Sequence, residues 1–287
     1  MKLAYYPGCS LESSARMYES SLHRVLGRLG VELEEINDWN CCGASSAHAL
    51  DHAVATGLAA RSLGLAEQHS TDVVTGCASC FFRLRAAEDA MRADADLAKR
   101  VNDALPAPYA GKIRIRNLLD VLVEAYSRAP EKPAVVRPLG ALRPVCYYGC
   151  LFGRAAGDQS YDDPENPTAM ERLLKGAGVA AIDWSGKVEC CGASAAVVAP
   201  KLATDLQAAL LADARARGAN AVVTACPMCQ LNLDMGQFRK KRAEREPAPL
   251  PVFFVTQVLG LAWGFSPEEM ETRRLLASPE AVAEVIA

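Results

Sequence analysis

A chain of 287 residues exceeds one typical domain and approaches two, so two domains of about 140 residues are the size expectation. Hydrophobic residues make up 51% and charged residues 23%, the balance of a soluble globular protein, which excludes a disordered chain. The net charge of −3 is small and of the wrong sign for a nucleic-acid binder, whose affinity rests on clustered Lys and Arg.

The chain opens with Met1-Lys2-Leu3-Ala4-Tyr5-Tyr6-Pro7, which lacks the apolar run and small-residue cleavage site of a secretory signal. Residues 3–6 are a short strand-like run ending at Gly8-Cys9. Residues 13–29 carry Leu22, Val25, Leu26 and Leu29 at helical spacing and stop at Gly30, after which 31–36 reads as extended. Beyond Cys41-Cys42-Gly43, residues 46–69 have helix-favouring composition, and 72–75 is a short apolar strand leading to Cys77 and Cys80. Residues 118–122 look like a closing helix, and a proline-rich linker follows at 129–144.

The second half repeats this order. Residues 145–148 are strand-like and end at Gly149-Cys150, Cys190-Cys191-Gly192 follows, and 200–217 forms a helix with Leu202, Leu206, Leu210 and Leu211 on one side. Gly218 ends it, 219–224 leads to Cys226 and Cys229, and 255–259 matches the closing helix of the first half. Alternating strands and helices imply an α/β protein of two tandem repeated domains, 1–128 and 145–287, each a small parallel sheet flanked by helices. In such sheets ligands bind at the carboxyl ends of the strands, where these cysteines fall. The longest apolar stretch, 250–265, is interrupted by Pro251, Thr256 and Gln257 and falls short of the roughly 18 to 20 residues of a membrane span, so no span and a cytoplasmic location are expected.

Eleven cysteines in a reducing compartment point to metal ligands or redox groups rather than a disulfide framework. Cys9, Cys41, Cys42, Cys77 and Cys80 are separated by 32, 1, 35 and 3 positions; Cys150, Cys190, Cys191, Cys226 and Cys229 by 40, 1, 35 and 3. The flanks match as well: Cys41-Cys42-Gly43-Ala44-Ser45 recurs as Cys190-Cys191-Gly192-Ala193-Ser194, and Val73-Val74-Thr75 as Val222-Val223-Thr224. The eight extra residues of the second copy are placed in the turn-rich stretch 161–167. Thiolates are soft ligands suited to iron–sulfur clusters or zinc. Five ligands per site, two of them adjacent and splayed apart, suit a multi-iron cluster better than one tetrahedral ion, with a zinc scaffold as the non-redox alternative.

This doubled pattern resembles the CCG-domain family, and within it the B subunit of heterodisulfide reductase, over nearly the whole chain, including the tail Pro251-Val252-Phe253-Phe254-Val255-Thr256-Gln257. The resemblance implies a catalytic iron–sulfur oxidoreductase acting on sulfur groups. Two non-cubane [4Fe-4S] clusters would be held by Cys9, Cys41, Cys42, Cys77 and Cys80 and by Cys150, Cys190, Cys191, Cys226 and Cys229. The disulfide would be cleaved or formed between them. Two partners are implied in the same complex, one ferredoxin-like (its C subunit) and one flavin-bearing (its A subunit), in keeping with the lack of a G-x-G-x-x-G fingerprint in this chain. The substrate would be the mixed disulfide of coenzymes M and B or a thiol or disulfide of bacterial sulfur metabolism. The alternative is an electron-transfer subunit of a glycolate, lactate or succinate oxidoreductase; such chains often add ferredoxin motifs, which are missing here.

Other residues carry weaker signals. Aligned on the Tyr-Tyr pair, Cys146 matches Ala4 and reads as a small buried residue. His48 and His52, spaced i, i+4, read as surface histidines rather than a metal pair, and His23 and His69 have no partner pattern. Arg239-Lys240-Lys241-Arg242 reads as a solvated helix end, with partner or anion docking the alternative. Met228, Phe81 and Phe82 are placed as water shields of the clusters or as lining of a substrate cleft.

Overall fold

In a computed structural model, residues 1–44, 47–69, 72–154, 162–238 and 248–277 are described, Arg154 in its backbone only. The first half runs β1 (Lys2–Tyr5), α1 (Gly8–Glu12), α2 (Arg16–Arg28), β2 (Glu32–Glu35), α3 (Ala47–Leu50), α4 (His52–Glu67), β3 (Val73–Thr75), α5 (Ala78–Ala93), α6 (Ala95–Asp103), β4 (Ile115–Asn117) and α7 (Leu118–Arg128). The second runs β5 (Pro144–Tyr147), α8 (Cys150–Arg154), α9 (Ala169–Gly176), α10 (Pro200–Ala216), β6 (Ala221–Thr224), α11 (Pro227–Gly236), β7 (Val252–Phe254) and α12 (Val255–Ala262). All strand pairing is parallel, in the orders β2-β1-β3-β4 and β5-β6-β7. The expected α/β architecture of two parallel sheets flanked by helices is what the chain forms.

Local chemistry explains the boundaries. Leu22, Val25 and Leu26 bury one side of α2, and the helix stops where Gly30 turns left-handed (φ 72°), letting the Val31 N–H reach back to the Leu26 carbonyl. The single helix expected over 46–69 is broken at Asp51, whose carboxylate caps α4 by accepting from the Val54 N–H at 2.9 Å. Asn117 ends β4 and caps α7 in the same way. Helix α10 begins with Pro200, suited to the first turn, where no backbone donor is needed.

The two halves share one buried core. Tyr18 of α2 stacks on Phe254 with ring centroids 4.0 Å apart and planes 3° from parallel, and the Ser21 and Thr256 hydroxyls hydrogen-bond at 2.7 Å, so α2 lies against α12. Tyr126 stacks on Trp263. The proline-rich segment between the halves is held to the same helix, with the Val136 and Arg137 N–H groups donating to the Ala262 carbonyl. No helix among the described residues is long and apolar enough to cross a membrane.

Candidate functional site: two facing cysteine nests

Each sheet delivers its cysteines from the carboxyl ends of neighbouring strands. Cys9 follows β1 and Cys77 follows β3; Cys150 follows β5 and Cys226 follows β6. In each half a glycine in the left-handed region stands between the first strand and its cysteine, Gly8 (φ 71°) and Gly149 (φ 70°). A Cβ on Gly8 would lie 2.8 Å from Cys80 Sγ, and one on Gly149 3.0 Å from Cys229 Sγ, so only glycine lets the strand end pass so close to the sulfur. The CCG loops use the same device, with Gly43 at φ 74° and Gly192 at φ 80°.

The sulfurs of Cys42 and Cys80 stand 3.5 Å apart, and those of Cys191 and Cys229 3.6 Å apart. Hydrogen bonds with Cys41 and Cys80 hold the Cys42 thiol down to about 3, and a bond with Cys229 lowers Cys191. Their donors move the other way: Cys41, Cys80 and Cys229 are pushed up, in each case first by the bond with the CCG thiolate. The second cysteine of each CCG is thus shifted by its neighbours toward the thiolate form. Backbone groups contribute too, since the Gly192 N–H donates to Cys190 Sγ at 3.3 Å.

Tyr6 and Tyr147 form the floor of the two nests. The Tyr6 hydroxyl donates to the Asn40 carbonyl at 2.6 Å and the Tyr147 hydroxyl to the Glu189 carbonyl at 2.7 Å, each acceptor lying just before the CC pair. Burial, followed by the surrounding sulfurs, raises both phenols, so they remain neutral donors. This pairing corrects the register assumed for Cys146. In the sheets Ala4 pairs with Val73 and Val145 with Val222, so Val145 occupies the Ala4 position and Cys146 that of Tyr5. The reason is Pro7, which lengthens the first copy's strand end by one residue relative to the Tyr-Tyr pair. Cys146 is buried, as expected, its carbonyl accepting from Trp184 Nε1 at 2.7 Å.

The nests meet at their buried ends. The Cys77 and Cys226 thiols lie near enough across the two halves to shift each other, Cys77 upward and Cys226, together with Cys229, downward. Cys9, Cys41 and Cys190 are exposed, and Cys150 partly so, at the outer ends. Helix contacts cross over as well: Ser10, next to Cys9, donates to Met228 Sδ at 3.6 Å, and Phe81, next to Cys80, packs on Phe152 of α8. Phe81 is fully buried, whereas Phe82 and Met228 are half-buried.

Behind the second nest lies a buried cluster that composition does not disclose. The Lys187 ammonium reaches Asp183 at 2.8 Å, Glu171 at 3.2 Å and the Asn166 side-chain oxygen at 3.0 Å, while the Lys187 carbonyl accepts from the Tyr148 and Gly149 N–H groups. Glu171 also accepts from the Tyr148 hydroxyl. The equivalent of Lys187, three positions before the CC pair, is Asp38 in the first half, an exposed carboxylate paired with Arg61. Asn232 Nδ2 donates to the Cys191 carbonyl at 2.7 Å, where the first half has Arg83 packed over the Phe82 ring. His48, His52 and His69 are exposed, and His23 is exposed and bonded to Glu19. The run Arg239 to Arg242, together with Ser45 and Tyr161, lies outside the described residues.

The donor set fits an iron–sulfur group: soft sulfur ligands, five cysteines to each nest, with backbone amides and buried phenols around them. Among the described residues no three His, Cys, Asp or Glu groups stand close enough together to hold a single metal ion.

Comparison with known proteins agrees. The family model for CCG, the cysteine-rich domain, matches twice, at residues 3–85 and 145–234. The chain is 31% identical over 276 residues, 94% of each chain, to the 8-methylmenaquinol:fumarate reductase membrane anchor subunit of Wolinella succinogenes. It is 28% identical over 276 residues, 94% of this chain and 91% of the other, to the B subunit of the ferredoxin:CoB-CoM heterodisulfide reductase of Methanosarcina mazei. A crystal structure of a hypothetical protein from Helicobacter pylori shares the fold, with TM-score 0.76 and 12% identity; it covers 96% of this chain, which spans 52% of that one. With its family model matched in both halves, the chain belongs to the CCG cysteine-rich domain family and is similar throughout to the B subunits of heterodisulfide reductases.

Proposed function

We propose that this chain is the catalytic iron–sulfur subunit of a heterodisulfide-reductase-like complex, with one four-iron cluster of non-cubane type in each nest. Cys9, Cys41, Cys42, Cys77 and Cys80 would hold the first, and Cys150, Cys190, Cys191, Cys226 and Cys229 the second. When bound, the clusters supply single electrons. Reduction of a disulfide consumes two electrons and two protons and yields two thiols; formation of the bond runs the same balance backwards. One-electron donors that act singly would leave a thiyl radical, so two donors facing one substrate suit this chemistry. The observation that carries the reading is the pair of matched cysteine nests set side by side, with Ser10 beside Cys9 reaching Met228 and Phe81 beside Cys80 packed on Phe152.

The chain's own residues prepare the sites. Tyr6 and Tyr147 keep the strand ends and CC loops together, Gly8 and Gly149 bring backbone against the sulfurs, and Phe81 keeps water from the buried side. Electrons would come from a ferredoxin-like and a flavin-bearing partner on the cytoplasmic side. The test is anaerobic purification with iron and sulfide analysis, followed by electron paramagnetic resonance of the oxidised protein titrated with thiols. About eight irons per chain and a thiol-dependent signal are expected, by analogy with multi-iron thiolate sites. One or two zinc ions, or no iron, would overturn the assignment.

A second reading is favoured by the Wolinella relative, whose name places it in a quinol-linked fumarate reductase. On that reading the clusters would pass electrons between a quinol and a partner protein. A signal that responds to quinol analogues and not to thiols would select it.

A further inference from the structure

Tyr18 belongs to α2 of the first half, yet its polar contact is with the second nest. Its hydroxyl donates to the Ala225 carbonyl at 2.8 Å, a buried bond linking positions 207 residues apart, and Ala225 immediately precedes Cys226. Its ring lies against the equivalent turn of its own half: a Cβ on Gly76, the residue before Cys77, would be 3.4 Å from Tyr18 Cε1. The other face is fixed by the parallel stack on Phe254, and the side chain is wholly buried. One residue therefore touches both CxxC turns.

We propose that Tyr18 is a positioning residue of the second nest, supplied by the first half, and that it sets the Ala225–Cys226 turn against the Gly76–Cys77 turn. The two nests are then registered by a single clamp rather than built independently. This rests on the reading that both nests hold clusters, but the clamp itself is a property of the chain alone.

The test compares Tyr18→Phe, which removes one oxygen and keeps the stack, with Ser21→Ala, which removes the neighbouring cross-half hydrogen bond to Thr256. In metal-free full-length protein, iodoacetamide labelling of each cysteine is followed by mass spectrometry. Loss of a buried hydrogen bond on one turn is expected to speed labelling of Cys226 about fivefold in Tyr18→Phe, with Cys42 and Cys191 unchanged. Ser21→Ala should leave Cys226 at the wild-type rate relative to the other cysteines. Uniform acceleration of all cysteines in both variants, or an unchanged Cys226 in Tyr18→Phe, would overturn the clamp. In iron-loaded protein the same variant should shift the resonance of the second cluster and spare the first. A chain that takes up no iron defeats the cluster reading, whereas the labelling pattern still decides the clamp.

Discussion

The two nests share a frame and differ in what stands behind it. Sulfur spacings of 3.5 and 3.6 Å, tyrosine anchors of 2.6 and 2.7 Å and left-handed glycines at 71° and 70° are matched almost atom for atom. Their supports are not matched. The first nest rests on a four-stranded sheet with β2 beside β1; the second has three strands, and where β2 would pair there is one bridge, Val145 to Ile182. Beyond that bridge the second half has the buried Lys187 and its carboxylate partners. Duplication has thus preserved the groups that touch sulfur while the scaffold diverged, as expected if the ligand shell carries the function and the sheet only places it.

Replacing the strand-end glycines tests whether the frames are equal. Gly8→Ala forces a side chain into the left-handed region, at roughly 1–2 kcal/mol, and drives its Cβ against the Cys80 sulfur. Gly149→Ala does the same to Cys229 with slightly more room. Each variant is expected to lose its own cluster and about half of the iron, as the two nests have equal ligand counts. Iron analysis would show it, with Gly8→Ala the more severe. Loss of all iron from either one would mean that the nests load only together.

Much of this frame is legible in the sequence because it is local. The CCG and CxxC spacings, the flanking Val-Val-Thr strands, and the helices ending at Gly30 and Gly218 declare themselves through residue types that only certain backbones accept. The closing strand β7 before α12 and the helices that start on Ala78 and Pro227 are not legible in this way, since their apolar residues run without a clear period against the shared core. The tyrosine pair is visible but misregistered by Pro7, a one-residue shift that local pattern alone does not resolve. Lys187 and Tyr18 leave no signal at all. A lysine three residues before a CC pair looks like any surface lysine, and a tyrosine on an amphipathic helix looks like core; both act through contacts distant in sequence.

The position three residues before each CC pair sharpens the contrast between scaffolds. Lys187→Met leaves the half-buried Glu171 without its cation, and removal of one partner from such a partly buried ionic cluster costs about 2 kcal/mol. Asp38→Asn, which keeps a residue tolerant of the left-handed backbone there (φ 58°), breaks only an exposed pair and should cost less than about 1 kcal/mol. Urea unfolding of the two variants measures the gap, and equal costs would refute the difference in support. Acid and base give an independent check. Burial lowers the Lys187 ammonium, but Asp183 and Glu171 outweigh it and raise it above its ordinary 10.5. The stabilisation is therefore fully present below that pH and lost as pH rises through the folded value. Wild type should lose stability on that rise, and Lys187→Met should lack this component.

The smallest effect is expected at Cys146, the eleventh cysteine. It occupies the place of Tyr5, whose hydroxyl bonds to Glu19; the thiol faces Glu171, which is also bonded by Tyr148 and Lys187. Burial, followed by Glu171, raises the thiol, and no cysteine sulfur is among the groups that shift it, so it stands apart from the second nest as a packing group. Cys146→Ala then removes one buried sulfur and should cost about 1 kcal/mol by loss of packing. Its iron and sulfide content should equal that of wild type, and so should the resonance of the second cluster. A fall in iron to the level of Gly149→Ala would instead make Cys146 part of the second nest, which would then differ from the first in its ligands and not only in its scaffold.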